Sequence, residues 1–140
     1  MRHQRGQKKF GRSMEHRKAL MKSLATNLIL AESIQTTLPK AKQARKDAER
    51  IVTVARKGGL AARRLAASRL QQPKAVQKLF DKIVPQMEGR NGGYTRIVKT
   101  GSRKGDGAEM CILQWVESLK AEKPAETPAA EAPKAEEPAK

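Results

Sequence analysis

Aromatic side chains are scarce in this sequence: one Trp, one Tyr and two Phe make up 3% of 140 residues. Proteins that stack successive bases of a single strand need more rings, so a base-stacking platform is excluded. The one cysteine, Cys111, excludes an intramolecular disulfide and a zinc cluster. It sits in the apolar run Met110 to Val116 and reads as a small buried hydrophobe. No apolar run approaches the roughly 20 residues of a membrane span. The N-terminus is charged throughout and lacks the apolar segment of a secretory signal, so the cytosol is the simplest compartment.

The chemistry of catalysis is also missing. His3 and His16 lie far apart in the chain, and Asp47, Asp81 and Asp106 fall on a helix, another helix and a loop. Nothing spaces them as a metal site or an acid–base pair. Gly101 to Gly107 lacks the full Gly-x-x-x-x-Gly-Lys-Ser/Thr pattern of a phosphate loop. No enzyme activity, metal, cofactor or small-molecule substrate is expected.

Positive charge is abundant. Thirty Lys and Arg against 14 Asp and Glu give a formal charge of +16. That excess implies a polyanionic partner, nucleic acid before an anionic membrane surface. Residues 1–12 carry Arg2, Arg5, Lys8, Lys9 and Arg12 and no acid, and read as an extended basic arm. Ser13 can N-cap a first helix with Glu15 in its first turn and a stripe of Leu20, Met21, Leu24, Leu28 and Ile29. His16, Arg17, Lys18 and Lys22 fall largely off that stripe. A membrane-surface helix would favour aromatics that this stripe lacks.

Ser33 to Leu38 alternates as a short strand, with Pro39 suited to the first position of a second helix running to Lys57. Its apolar face is Ala41, Ala44, Ala48, Ile51, Val52 and Ala55; Lys40, Lys42, Arg45, Lys46 and Arg50 lie elsewhere. A third helix, Leu60 to Leu70, uses Leu65, Ala66 and Leu70 as core and displays Arg63, Arg64 and Arg69. A fourth, Lys74 to Val84, buries Val76, Leu79, Phe80 and Ile83 and stops at Pro85; Lys74, Lys78, Asp81 and Lys82 form a solvated face.

The stretch from Gly89 to Thr100 begins as a turn and becomes a strand. Gly92 and Gly93 suit positive φ, and the β-branched residues from Tyr94 onward suit a pleat. Tyr94, Arg96 and Val98 should face one side; Thr95, Ile97 and Lys99 the other. A basic, glycine-rich turn containing Arg103 and Lys104 leads into the last strand, Met110 to Val116, completing a hairpin. The strand near Ile34 can add to an edge. Beyond Leu119 the chain holds only Ala, Glu, Lys and Pro apart from Thr127, a composition typical of disorder. The expected division is an arm 1–12, a globular domain 13–118 and a tail 119–140.

Several motifs recur in a specific order: Met1-Arg2-His3, Gly11-Arg12, His16-Arg17-Lys18-Ala19-Leu20, Thr36-Thr37-Leu38-Pro39-Lys40-Ala41-Lys42, Gly92-Gly93-Tyr94-Thr95-Arg96-Ile97 and Arg103-Lys104-Gly105-Asp106. Together they resemble the bacterial large-subunit ribosomal protein seventeen family over roughly Met1 to Val116. The resemblance implies an α+β fold, a two-layer α/β sandwich in the order helix, strand, three helices, two strands. It implies a structural component of the large ribosomal subunit that binds large-subunit ribosomal RNA near the nascent-chain exit region, beside other ribosomal proteins. Gln4, where the family's arm is commonly basic, and Glu109, where proline is usual, depart from the pattern, and the tail lies outside it.

The expected RNA contacts fall into groups. The arm offers Arg2, His3, Arg5, Lys8, Lys9 and Arg12, continued by His16, Arg17, Lys18 and Lys22. Thr36, Thr37, Lys40 and Lys42 can meet phosphate at a helix start, followed by Arg45 and Lys46. Arg63, Arg64 and Arg69 lie on the third helix. Arg90, Gly92, Gly93, Tyr94, Thr95, Arg96, Lys99, Arg103 and Lys104 form the hairpin group, with Tyr94 balanced between a core ring and a stacking one. The competing reading is an architectural DNA-binding protein of the nucleoid, with Phe10 as its wedge.

Overall fold

The computed structural model describes residues 8–117. The expectations for Arg2, His3, Arg5 and the tail 119–140 lie outside them.

Helix α1, Met14–Ala31, starts where expected, with the Ser13 hydroxyl accepting from the His16 N–H at 3.4 Å. It buries Met21, Ala25, Thr26, Leu28 and Ile29, while Leu20 and Leu24 are only half-buried. It ends on Glu32 at φ 65°, a left-handed conformation that costs a non-glycine residue. Three long-range side-chain hydrogen bonds hold that end. Lys78 Nζ donates to the Leu30 carbonyl at 2.9 Å and to Glu32 Oε1 at 2.7 Å, and Trp115 Nε1 donates to the Leu28 carbonyl at 3.1 Å. Lys78 is therefore no part of a solvated face. It satisfies a helix terminus whose last carbonyls have no partner within the helix.

Strand β1, Ser33–Thr37, leads directly into helix α2, Leu38–Arg56, with Pro39 in the first turn. All six apolar positions expected on α2 are buried. Four of them are alanines, so the helix axis can lie close to the sheet and to α1. Helix α3, Gly59–Arg69, buries Ala62 and Ala66 but leaves Leu65 at 42% exposure, against expectation. A short helix facing its neighbour through alanines turns the larger leucine outward.

Pro85 does not end the fourth helix. Helix α4, Pro73–Lys78, passes through a π-helical turn, Leu79–Ile83, into a last turn α5, Val84–Gln86. A proline ring clashes with the carbonyl four residues back and supplies no N–H. A wider turn just before it lets the chain continue to Met87, which is fully buried.

Strands β2, Thr95–Ser102, and β3, Glu109–Trp115, form the hairpin, and β1 pairs antiparallel with β3, giving the order β1-β3-β2. The register sets Ile34 and Ile97 on either side of Leu113. Cys111, Leu113 and Trp115 alternate into the core with Ile34, Thr36, Thr95 and Ile97. A register shift between Lys99 and Gly101 (φ 101°) bulges β2 near the hairpin tip. Cys111 is buried and its thiol, pushed up by burial, donates to the Thr36 carbonyl at 3.4 Å. The helices cover one face of the sheet. The other face shows Gln35, Arg96 and Val98 to solvent beside half-buried Met110, Ile112 and Gln114. The fold is α+β in two layers, in the expected element order.

Candidate nucleic-acid interface

Helix α2 separates two cation-lined depressions. The first is an open groove of about 640 Å³ between the start of α2 and β2. Leu38, Pro39 and Ile97 line it together with Lys8, Lys42, Arg45, Lys46 and Lys99. Spacings of three and four put residues 42, 45, 46 and 49 on one side of α2. Among the described residues, Glu49 is the only carboxylate lining this groove, and it is already engaged. Its Oε1 accepts from Arg45 Nε at 3.0 Å and from the Thr95 hydroxyl at 3.2 Å. Lys42, Lys46 and Lys99 form no ion pair among the described residues. The groove thus presents uncompensated charge over a short apolar floor.

The second is a cleft of about 350 Å³ where α1, α2 and α3 meet. Its rim carries Arg17, Lys18 and Lys22 of α1, Arg50 of α2 and Arg69 of α3. Its apolar lining is Met14, Met21, Ala25 and Ile51. Gln43 and Asp47, one helical turn apart on α2, also line it. Burial pushes the Asp47 carboxyl up, opposed by Arg50, Gln43, Arg69 and Lys46. Arg50 Nη1 stands 3.8 Å from the Asp47 oxygen.

Nine of the residues expected to meet RNA gather in these two depressions. Gln43, Asp47 and Arg50 join them and were absent from that expectation. Arg50 was placed on the polar side of α2, but one helix cannot show which neighbour closes against it. Thr36 and Thr95, by contrast, were expected to face RNA, and Tyr94 was balanced between core and RNA; Thr36, Tyr94 and Thr95 are 9%, 2% and 2% exposed. They are core. The Tyr94 hydroxyl accepts from Arg56 Nη1 at 2.9 Å, and the same guanidinium lies 6.0 Å from the ring centre. Arg56, unremarked in the sequence, also donates to the Arg90 carbonyl and ties the end of α2 to the 89–94 turn. Gly92 and Gly93 adopt φ 153° and 62°, as that turn requires.

Four cations elsewhere have internal partners. Arg90 Nη2 donates to Glu117 Oε1 at 3.1 Å. Arg103 grips Asp106 with two nitrogens, and that pairing lowers the Asp106 carboxyl to about 2. Arg96 lies opposite Gln114 on the open sheet face, where the Gln114 amide oxygen, turned toward it, accepts at 2.7 Å. Arg63 stacks 4.9 Å over the Phe80 ring. Lys9, Arg12, His16, Arg64 and Lys104 are exposed, and Thr37 and Lys40 are half-buried at the start of α2. Phe10, at φ 55°, packs against the core.

Fold and surface together define a small α+β scaffold whose cationic side chains are held on rigid helices and strands. Residues 20–116 match the family model for ribosomal protein L17. The chain belongs to the ribosomal protein L17 family. It is 47% identical over 130 residues to large ribosomal subunit protein bL17 of Myxococcus xanthus, covering 93% of this chain and 94% of that protein. The bL17 of Methylacidiphilum infernorum is 50% identical over 117 residues, 84% of this chain and 89% of its own length. That of Desulforamulus reducens is 50% identical over 111 residues, 79% and 99% of the two chains. These relatives are named as ribosomal subunit proteins, not as enzymes.

Proposed function

We propose that this chain is a structural constituent of the bacterial large ribosomal subunit, in the cytoplasm, that binds and stabilises folded large-subunit ribosomal RNA. Family membership supports the ribosomal role. The observation that carries the RNA contact is the pair of cation-lined depressions flanking α2. Folded RNA packs phosphates closely, and cations fixed between backbone segments relieve that repulsion while releasing condensed counterions. Contacts to phosphate and sugar follow RNA shape more than sequence. Lys8 of the basic arm lines the groove directly. The subunit's nascent-chain exit region, with other ribosomal proteins as neighbours, is the proposed location.

The nucleoid reading loses its main support, because Phe10 packs on the core and is not displayed as a wedge. The test is a titration of the full chain against large-subunit ribosomal RNA at several salt concentrations, with duplex DNA as competitor. If about six phosphates are engaged, affinity falls roughly a thousandfold between about 50 and 200 mM salt. A nearly flat titration, or equal competition by DNA, would refute the proposal.

A further inference from the structure

The two depressions differ in kind. The groove beside β2 is cationic and its lone acid is internally bonded. The cleft between α1 and α2 shares Gln43 with that groove and is also partly apolar, but its carboxylate, Asp47, has no ion-pair partner nearer than Arg50 Nη1 at 3.8 Å among the described residues. Met14 is 60% exposed at its mouth, where a thioether in water gains nothing for the fold. Asp47 is the more telling group. Its carboxyl is raised by burial, so its ionised form is less favourable in the folded chain than in the unfolded one. Below the unfolded pKa this group adds stability, and that contribution is lost as pH rises through the folded pKa. Arg50, Gln43 and Arg69 oppose that rise, and the side chain keeps 31% of its surface open to the cleft.

We propose that the α1–α2 cleft receives a single unstacked guanine of the RNA, with Met14 and Met21 against the ring and the Asp47 carboxylate on its Watson–Crick edge. This rests on the RNA-binding reading above and adds a base-specific contact to it. A cleft of about 350 Å³ admits one nucleotide and not a helix. An ionised carboxylate only accepts hydrogen bonds. Guanine presents two donors side by side, N1–H and the N2 amino group, and is the base whose edge suits two acceptor oxygens. Gln43, one turn away on the same helix, can donate to the guanine O6. The rim cations Arg17, Lys18 and Arg69 suit the flanking phosphates. Unpaired RNA bases splayed from loops and bulges are read on these same edges, and polarisable methionines suit a base face where aromatic rings are lacking.

The test is a footprint of large-subunit ribosomal RNA bound by the full chain, using a dicarbonyl reagent that adds across guanine N1 and N2. The wild-type chain should protect one guanine that both Asp47→Asn and Met14→Ser leave reactive. Loss of a hydrogen bond to a charged group predicts a rise of about tenfold or more in that guanine's reactivity with Asp47→Asn. Backbone protections due to the β2 groove should persist in both variants. Met14 is exposed, so its replacement does not threaten folding. If backbone protections appear but no guanine responds to both substitutions, the cleft proposal is overturned and the RNA-binding reading stands. If the wild-type chain protects nothing, both fall.

Discussion

The α2 flank and the hairpin carry the same kinds of side chain and use them differently. Along α2, Lys42 and Lys46 face a groove whose single carboxylate is already bonded to Arg45 and Thr95. Along the hairpin, from its open end to its tip, Arg90, Arg96 and Arg103 are met by Glu117, Gln114 and Asp106. A cation beside a carboxylate is partly neutralised, one beside an amide oxygen is only oriented, and in both cases its geometry serves the segment that holds it. A cation without a carboxylate beside it must be neutralised by counterions or by a partner. Charge in a sequence is thus not a count of contacts, because pairing within the fold decides which charges remain to be offered.

The largest effect that could break this contrast is on RNA affinity. Replacing Lys42, Lys46 and Lys99 together with Ala should remove two to three phosphate contacts. At about 0.7–0.9 per phosphate, the slope of log affinity against log salt should fall by roughly 2. The same triple change at Arg96, Arg103 and Lys104 should lower it by less than about 1. Equal losses for the two sets, measured in salt titrations, would abolish the distinction.

A smaller effect sharpens the structural role of the hairpin end. Arg56→Ala leaves the Tyr94 hydroxyl and the Arg90 carbonyl without their donor. Orphaned, partly buried groups of this kind cost about 1–3 kcal/mol. Thermal melting should show a clear fall in Tm with little change in RNA slope. An unchanged Tm would mean that the 89–94 turn is held without Arg56.

The smallest effect is confined to the hairpin tip. Asp106 is exposed and its carboxyl lies at about 2, lowered first by Arg103 and then by the Ala108 N–H. A depressed folded-state value adds order above the ordinary carboxylate range, and that order is lost as pH falls through the folded value. Between about pH 4 and 2, the Ala108 amide should lose its hydrogen-bonded shift while core amides of β3 keep theirs. Tip and core amides shifting together would show that the pairing supports the whole sheet.

Much of this was legible in the residues. Apolar spacing placed α1 and α2 within a residue or two, because an amphipathic stripe has one stable way to be buried. Strand alternation placed Cys111, Leu113 and Trp115 inward for the same reason. The misreadings share a cause. Leu65 and Lys78 were assigned from the period of their own helices, yet the neighbouring element decided both. Leu65 is left 42% exposed because α3 packs through its alanines, whereas Lys78 meets the open end of α1. Pro85 is a local stop signal that a π-helical turn circumvents. Tyr94, left open between core and RNA, precedes the strand, so alternation alone could not decide it; packing made it core.

The sequence by itself determined the element order, the buried stripes and an excess of positive charge that demands a polyanion. Those follow from periodicity and composition, which are properties of neighbours in the chain. Only the tertiary structure decided that Lys8, Lys42 and Lys99 share one groove, that Arg17, Asp47 and Arg69 share another, and that Arg103 is already paired. Electrostatic and hydrogen-bonding energies depend on distances of a few ångströms between side chains. Between residues on different elements, those distances exist only once the helices have closed against the sheet.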